Sequence, residues 1–343
     1  MPTDDFDFLV FIGRFQPFHL GHQKVVETAL QYAQRVIVLV GSSCQPRTLR
    51  NPWTFSEREQ CIRGVFAHAQ ERLLIAPLLD ETYNDQGWIT RVQQTVHGLT
   101  CRFPPKIGSQ APRIGLIGHS KDHSSYYLSM FPQWHSLAVE NVQGISSTPL
   151  REQYFHSGDI STAIPIAVRE WLADFATTDT FTQIASEWEF VRQYRKGWEV
   201  APYPPTFVTV DAVVVQSGHI LLIERKARPG KGQWALPGGF LDAHEKLRDA
   251  VIRELREETR IKVPAPVLAG SIVKEQVFDD PYRSARGRTI THAFLIELKA
   301  DAAGLPKVKG GDDAQHAFWV PLGDLNPEKL FEDHFQIIKT MLG

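Results

Sequence analysis

The sequence predicts an α/β protein of two domains, the first built on a parallel sheet and the second an α+β unit. Three observations carry that expectation. At 343 residues the chain exceeds the usual size of a single core and suits two domains. Its first half alternates short apolar runs of strand length with stretches of helical spacing, the pattern of strands joined by crossover helices. Its second half changes to short β-rich runs, VTVDAVVV, HILLIER and ITHAFLIEL, around one strong helix.

In order along the chain, Phe8 to Ile12 and Arg35 to Val40 read as strands. Between them, Gly21 to Ala33 carries Val25, Val26, Ala29, Leu30 and Ala33 at helical spacing, which completes a βαβ unit. Strands are expected at Leu73 to Leu79, Arg113 to Gly118 and Ser136 to Glu140, with helices near Ser56 to Ala67 and Ile89 to Leu99 between them. Such a sheet binds ligands at the carboxyl ends of its strands. Helices at Pro149 to Phe155 and Ala163 to Phe175 close the domain. After Trp188 the periodicity weakens, and RKGWEVAPYPPTF, with Pro202, Pro204 and Pro205, reads as an extended linker. The expected division is residues 1–185, a linker over 186–205, and a second domain over 206–343, whose one strong helix spans Glu245 to Glu258. No internal repeat or low-complexity tract is visible.

Composition narrows the function. A net charge of −2 argues against a protein held to nucleic acid by counterion release, so the expected partners are small molecules. The three cysteines, Cys44, Cys61 and Cys101, form no CxxC pair and suggest neither a disulfide framework nor a thiolate zinc site. MPTDDFDF lacks a basic region followed by an apolar stretch, and no run of 18 apolar residues occurs, so a cytoplasmic protein without a membrane span is expected. Oligomeric state stays open, a homo-oligomer included.

Two runs more than two hundred residues apart carry phosphate chemistry. The first is GRFQPFHLGH, from Gly13 to His22. His19 and His22 lie three apart where a strand hands over to a helix, so both rings can stand beside a helix N-terminus that already favours phosphate. Gly13 and Gly21 let backbone approach closely, and Arg14 adds a guanidinium fork suited to phosphate oxygens. This run resembles the HxGH motif of nucleotidylyltransferases, in the form found in nicotinamide mononucleotide (NMN) adenylyltransferases. ISSTPLR, Ile145 to Arg151, resembles the ISSTxxR signature of that family, and RNPWTFSER and GHSKDHSSYYLSMFPQW fit the same subgroup. The resemblance implies a Rossmann-like domain in which Ser147 and Thr148 bind ATP phosphates and Arg151 reaches the β and γ groups. In YNDQGW it places Asn84 and Trp88 at the nicotinamide, with Trp53 a further candidate. The implied reaction is attack by the NMN phosphate on the α-phosphorus of ATP, with Mg²⁺ bridging phosphate oxygens.

The second run extends from Gly239 to Glu258. On a helix Glu254, Glu257 and Glu258 fall at i, i+3 and i+4 within an arc of about 100°, so three carboxylates face one way. Like charges so placed repel unless a cation is present, and an oxygen-rich site of this kind suits Mg²⁺ or Mn²⁺. The spacing of Gly239, Glu245 and Arg253-Glu254-Leu255-Arg256-Glu257-Glu258 resembles the Nudix box. That resemblance implies metal-dependent hydrolysis of a nucleoside diphosphate derivative, with Glu245 and Arg253 paired structurally. Arg260 stands where the box ends in glycine, which leaves the helix exit as an open question. Downstream, FDDPYRSARGRTITHAFLIEL resembles the Arg-Gly-Arg region of ADP-ribose-handling Nudix domains, offering Arg283, Arg286 and Arg288 to the substrate. Glu275, Asp312 and Asp313 are candidates for an assisting carboxylate outside the box.

The whole chain thus resembles bifunctional NMN adenylyltransferase/Nudix hydrolases, with ATP, NMN and ADP-ribose as implied substrates. Alternatives are nucleotidyl transfer to another phosphate, such as pantetheine phosphate or glycerol phosphate, and a second domain that senses ADP-ribose or cuts another diphosphate. YNDQGW and NPW favour NMN, and intact carboxylates favour catalysis over sensing.

Overall fold

A computed structural model describes residues 5–103, 111–119, 128–139, 144–311 and 313–343. The chain divides into two compact units, Met1–Ala185 and Ser186–Gly343.

The first unit is a five-stranded sheet in the order β3-β2-β1-β4-β5, with every pairing parallel. The strands are β1 (Phe6–Gly13), β2 (Ala33–Val40), β3 (Leu73–Pro77), β4 (Ile114–His119) and β5 (His135–Val139). FDFLVFIG and AQRVIVLV are apolar on both faces because helices cover both sides of a parallel sheet. The covering helices are α1 (Leu20–Tyr32), α2 (Phe55–Val65), α3 (Asp85–Thr100), α4 (Ser147–Ser157) and α5 (Ile166–Phe175). Phe8, Val10, Ile37, Leu39, Val92, Val96 and Leu116 form one core beneath α3. The chain runs outward from β1 through β2 to β3, then returns to the other side of β1 at β4. This reversal opens a crevice at the carboxyl ends of the strands, where the β1–α1 turn begins.

α6 (Asp179–Lys196) corrects the expected linker: the stretch from 186 to 196 is helical, and only 197–205 is irregular. Its buried apolar positions are sparse, with Ile184 and Val191 seven residues apart, so the sequence signal is thin. Gly197 follows the helix, and Pro202, Pro204 and Pro205 keep it from resuming.

The second unit is a mixed sheet. β6 (Thr206–Gln216), β7 (His219–Arg225), β10 (Ile272–Phe278), β11 (Arg288–Glu297) and β12 (Ala314–Pro321) run in the order β10-β11-β6-β7-β12. Short strands β8 (Trp234–Ala235) and β9 (Gly238–Phe240) pair with β7 and β6. β6 and β11 are parallel, whereas β6 and β7 form a hairpin at Ser217-Gly218, both with positive φ, as the twist of paired strands favours. α7 (Leu247–Thr259) presses Ala250, Val251 and Leu255 onto Val210, Ala212 and Val214 of β6. A short helix, α8 (Ala265–Gly270), and the C-terminal α9 (His334–Leu342) complete the unit. Among the described residues no helix is long and apolar enough to cross a membrane.

Candidate active sites

The first site starts at the junction of β1 and α1. His19 caps α1 in an extended conformation, and its Nδ1 accepts from the His22 amide at 3.4 Å. The His22 Nδ1 accepts in return from the His19 amide at 3.3 Å. The rings stack with centroids 3.6 Å apart. With both Nδ1 lone pairs turned to backbone amides, each neutral ring carries its proton on Nε2, the nitrogen that points away from the helix. Phe15 meets the His22 ring edge-on at 5.0 Å and Phe18 lies 5.5 Å from it, so the ring is fixed on its apolar sides. Gly13 has a packing reason in addition to the expected one, since a Cβ there would lie 2.8 Å from the Phe15 ring.

The ISSTPLR run meets this turn directly. Ser147 Oγ donates to Pro17 O at 3.2 Å, and Arg151 donates from Nη1 to Gln16 O at 2.7 Å and from Nε to Leu49 O at 2.8 Å. Arg151 Nη2 reaches Thr148 Oγ1 only at 3.5 Å. Burial pulls the Arg151 guanidinium down to about 10, and the charges of Arg14 and Arg50 add to that pull. Guanidiniums that repel one another around the start of a helix favour an anion between them. The α4 N-cap, Ser146, makes no side-chain cap hydrogen bond, which leaves the amides of that first turn for another acceptor.

Two residues that sequence reasoning did not assign organise the loops. Buried Arg58 donates from Nη1 to Arg14 O (2.7 Å) and Gly41 O (2.6 Å), and from Nη2 to Ser42 O (3.1 Å), tying the exits of β1 and β2 to α2. Asp80 accepts from both the amide and the hydroxyl of Ser42, at 3.0 and 2.6 Å, and holds that residue at φ 49°. Arg58 lies inside RNPWTFSER, but nothing in the run says that it faces carbonyls.

Asn84 caps α3, its Oδ1 accepting from Gly87 N at 2.9 Å, and Trp88 is half-buried with its ring 5.9 Å from Phe131. Both follow β3 and therefore sit at the carboxyl edge of the sheet. Trp53 does not occupy the substrate-facing position expected of it. It is 3% exposed, with Phe155 stacked at 5.8 Å and Tyr154 and Phe175 packed at 6.0 and 6.3 Å, so the ring is part of the core. Most of the GHSKDHSSYY run lies outside the described residues.

The second site is carried by α7. Arg253 grips Glu245 with two bonds, Nε to Oε2 at 3.0 Å and Nη2 to Oε1 at 2.6 Å, which is the expected loop-to-helix pair. Its Nη1 also donates to Glu254 Oε1 (2.8 Å) and Glu257 Oε2 (3.0 Å). These carboxylates hold the Arg253 charge well above its ordinary range, with Glu245 the main cause, and in turn lower Glu245. Glu258, 5% exposed, accepts from Gly238 N at 2.9 Å. Burial pushes its carboxyl up to about 8, and the neighbouring Glu254 adds to that effect. Gly239 is explained by Glu254: a Cβ there would sit 2.4 Å from Glu254 Oε1. Arg260 answers the question of the helix exit by taking the left-handed conformation a glycine would prefer, φ 46° and ψ 32°, while its amide closes on Arg256 O. Gly311, distant in sequence, packs on this exit: a Cβ there would lie 2.4 Å from Glu257 O, and its amide donates to Glu258 O at 2.9 Å.

The donor set suits a hard divalent cation. Among the described residues no three His, Cys, Asp or Glu side chains gather closely enough to hold an ion as they stand. The positive Nη1 of Arg253 bridges Glu254 and Glu257, and the buried Glu258 is strained toward its neutral form. A cation would relieve both conditions once the two outer carboxylates turn from the arginine.

Glu258 opens into a cleft of ≈ 690 Å³, lined also by Asp211, Arg225, Gly238, Gly239, Phe240, Arg283, Arg286, Asp313, Glu332 and His334. The expected arginines separate here. Arg286 lines the cleft with its guanidinium 5.1 Å over the Phe240 ring. Arg283 also reaches the cleft but is 8% exposed and forked onto Asp333 at 2.9 and 3.0 Å, so it braces the wall instead of waiting for substrate. Arg288 is outside the lining and turns to Asp279. Of the assisting carboxylates, Asp313 lines the cleft, Glu275 is exposed and paired with Arg248 at 3.4 Å, and Asp312 lies outside the described residues.

Arg225, Asp211 and His334 were not legible as site residues. Arg225 closes HILLIER, stacks on Phe331 at 4.0 Å, and is lowered by burial and then by Arg286. Buried Asp211 accepts from Thr291 Oγ1 at 2.6 Å, and burial raises its carboxyl against the pull of Arg283. His334 accepts from Leu236 N at 2.9 Å and is pushed down to about 3, chiefly by burial.

Comparison with known proteins follows the same division. The Cytidylyltransferase-like model matches residues 10–153 and the NUDIX domain model residues 205–341. A crystal structure of a bifunctional NMN adenylyltransferase/ADP ribose pyrophosphatase from Francisella tularensis, complexed with AMP and Mn ion, matches at 36% identity and a TM-score of 0.90, covering 98% of each chain. The chain belongs to this bifunctional family. Single-activity relatives match its halves. A nicotinamide/nicotinic acid mononucleotide adenylyltransferase of Acinetobacter baylyi is 38% identical over 53% of this chain and 94% of its own length. An ADP-ribose pyrophosphatase of Methanocaldococcus jannaschii is 38% identical over 39% of this chain and 72% of its own length.

Proposed function

We propose that the chain catalyses two reactions of NAD metabolism. The first unit transfers the adenylyl group of ATP to NMN, and the second hydrolyses ADP-ribose to AMP and ribose 5-phosphate. We assign the first to residues 1–185 and the second to 206–343, a division supported by the two compact units. The observation that carries the reading is the end-to-end match to the Francisella enzyme.

In the first reaction an NMN phosphate oxygen forms a bond to the α-phosphorus of ATP as the bond to the bridging oxygen breaks, and pyrophosphate leaves with the electron pair. No protein nucleophile takes part. His19 and His22 offer Nε2–H donors, Arg14 and Arg151 offer positive charge, and Ser147, Thr148 and the first amides of α4 complete the cradle for the departing phosphates. Asn84 and Trp88 form the nicotinamide end. In the second reaction water oxygen bonds to one phosphorus as the bridging P–O bond breaks. Glu254, Glu257 and Glu258 would hold Mg²⁺ or Mn²⁺, which when bound polarises phosphoryl oxygen and acidifies water. Arg286 and Arg225 face the diphosphate, and Asp313 is the carboxylate placed to assist.

The test is to incubate the purified protein with ATP and NMN, and separately with ADP-ribose, each with Mg²⁺ or Mn²⁺, and to separate the products. NAD in the first vessel and AMP in the second support the assignment. Pantetheine phosphate or glycerol phosphate outcompeting NMN would redirect the first half, and ADP-ribose bound but not turned over would make the second half a sensor.

A further inference from the structure

The segment immediately ahead of the NUDIX-matched residues is built into the edge of the second cleft. Tyr194 and Arg195 end α6, Trp198 follows, and all three belong to the second compact unit. Three contacts tie them to the cleft wall. The Trp198 ring meets Phe207 edge-on at 5.3 Å, with Tyr194 6.1 Å from the same ring. Phe207 then meets Phe240 edge-on at 5.8 Å. Arg195 Nε donates to Ala285 O at 2.9 Å, one residue before Arg286. Phe207 also rests on the Arg-Gly-Arg turn, since a Cβ on Gly287 (φ 151°) would meet its ring at 3.3 Å.

Phe240 and Arg286 are the two cleft residues held this way: the Phe240 backbone is fixed by pairing with Thr209, and Arg286 by the charge of buried Glu332, which leaves the Phe240 ring and the lie of the guanidinium over it to these contacts. Phe240 is 39% exposed, and Arg286 Nε reaches Ser284 Oγ only at 3.5 Å. The Arg286 guanidinium leans on the Phe240 ring, and that ring leans on Phe207. Trp198 is itself 44% exposed, so burial in a core does not explain its position. We propose that Tyr194, Arg195 and Trp198 are positioning residues for ADP-ribose hydrolysis, which set the placement of Phe240 and Arg286 without touching substrate. The inference rests on the assignment of this cleft to ADP-ribose. It predicts an effect on binding more than on chemistry, because the carboxylates stand on α7, which is fixed separately by Val251 and Leu255 in the core.

The experiment uses the full chain with Trp198→Ala and Arg195→Met, singly and combined, and Trp198→Phe beside them. With saturating Mn²⁺, the combined variant should raise KM for ADP-ribose roughly tenfold or more while kcat stays within about twofold, as misplacement of substrate-gripping groups predicts. Trp198→Phe should restore most of the loss, and adenylyl transfer should be unchanged. An unchanged KM in the combined variant overturns the inference, as does a fall in kcat at unchanged KM. If Trp198→Ala does not fold, Arg195→Met decides through its KM, since that side chain is exposed. Absence of ADP-ribose hydrolysis by the unmodified chain removes the functional reading and the inference together. Hydrolysis with an unmoved KM removes the inference alone.

Discussion

Glu258→Gln separates what Glu258 does for the fold from what it does for catalysis. The Glu258 carboxyl is buried, raised to about 8, and accepts one backbone hydrogen bond from Gly238. An amide oxygen can accept the same bond, so the substitution should not leave the Gly238 amide without a partner. The pH dependence has a defined sign. The folded-state value lies above the unfolded value of 4.5, so the native state holds a proton that the unfolded state has released between about pH 4.5 and 8. Stability from this group is complete below pH 4.5 and declines by about 1.4 kcal/mol per pH unit up to about pH 8. Glutamine has no such dependence. In chelator, the variant should therefore gain roughly 3 kcal/mol on wild type between pH 5 and pH 7. Denaturant unfolding at a series of pH values reads this difference. Hydrolysis of ADP-ribose, with metal present, should fall by at least about a hundredfold, because the neutral amide is a poor ligand for a hard cation. Parallel stability curves for the two proteins across pH would refute the account of Glu258, and so would near-normal hydrolysis by the variant.

Other substitutions probe the remaining geometry. His22→Ala should lower NAD synthesis by about a hundred to a thousandfold, the loss of roughly 2.7–4 kcal/mol seen when one oriented donor is removed, with ADP-ribose hydrolysis intact in the same preparation. Gly239→Ala drives a methyl group into the Glu254 carboxylate. The Mn²⁺ concentration giving half-maximal hydrolysis should rise about tenfold or more, while circular dichroism shows α7 retained. Arg260→Gly replaces a left-handed arginine with the residue that conformation suits, and should raise stability by about 1 kcal/mol without altering kcat. Acidification works through His334: its folded value of about 3 lies below the unfolded 6.5, so stability present above pH 6.5 is lost as pH falls. His334→Gln should flatten that loss in chelator titrations of the second unit.

Much of the architecture was legible because parallel strands covered on both faces leave unbroken apolar runs, as FDFLVFIG and AQRVIVLV do. β10 and β12 were not, since IVKEQVF and AQHAFWVP expose much of their length and show neither clean alternation nor a continuous apolar run. α6 was missed as a whole for a similar reason, with Ile184 and Val191 its buried apolar anchors. Motif spacing marked both candidate sites, but it could not tell which of their side chains turn into the core. Trp53 turned inward to Phe155 and Arg283 turned to Asp333, while Arg225, hidden at the end of an apolar strand, came to line the cleft. Those outcomes depend on partners distant in sequence, fifty residues away for Arg283, and no local pattern encodes them.

The claim that one chain holds two separable phosphate sites is tested most directly by product chromatography of the unmodified protein beside His22→Ala and Glu258→Gln. The account predicts NAD and AMP from the unmodified chain, loss of NAD alone from the first variant and loss of AMP alone from the second. A folded variant that loses both products would contradict it.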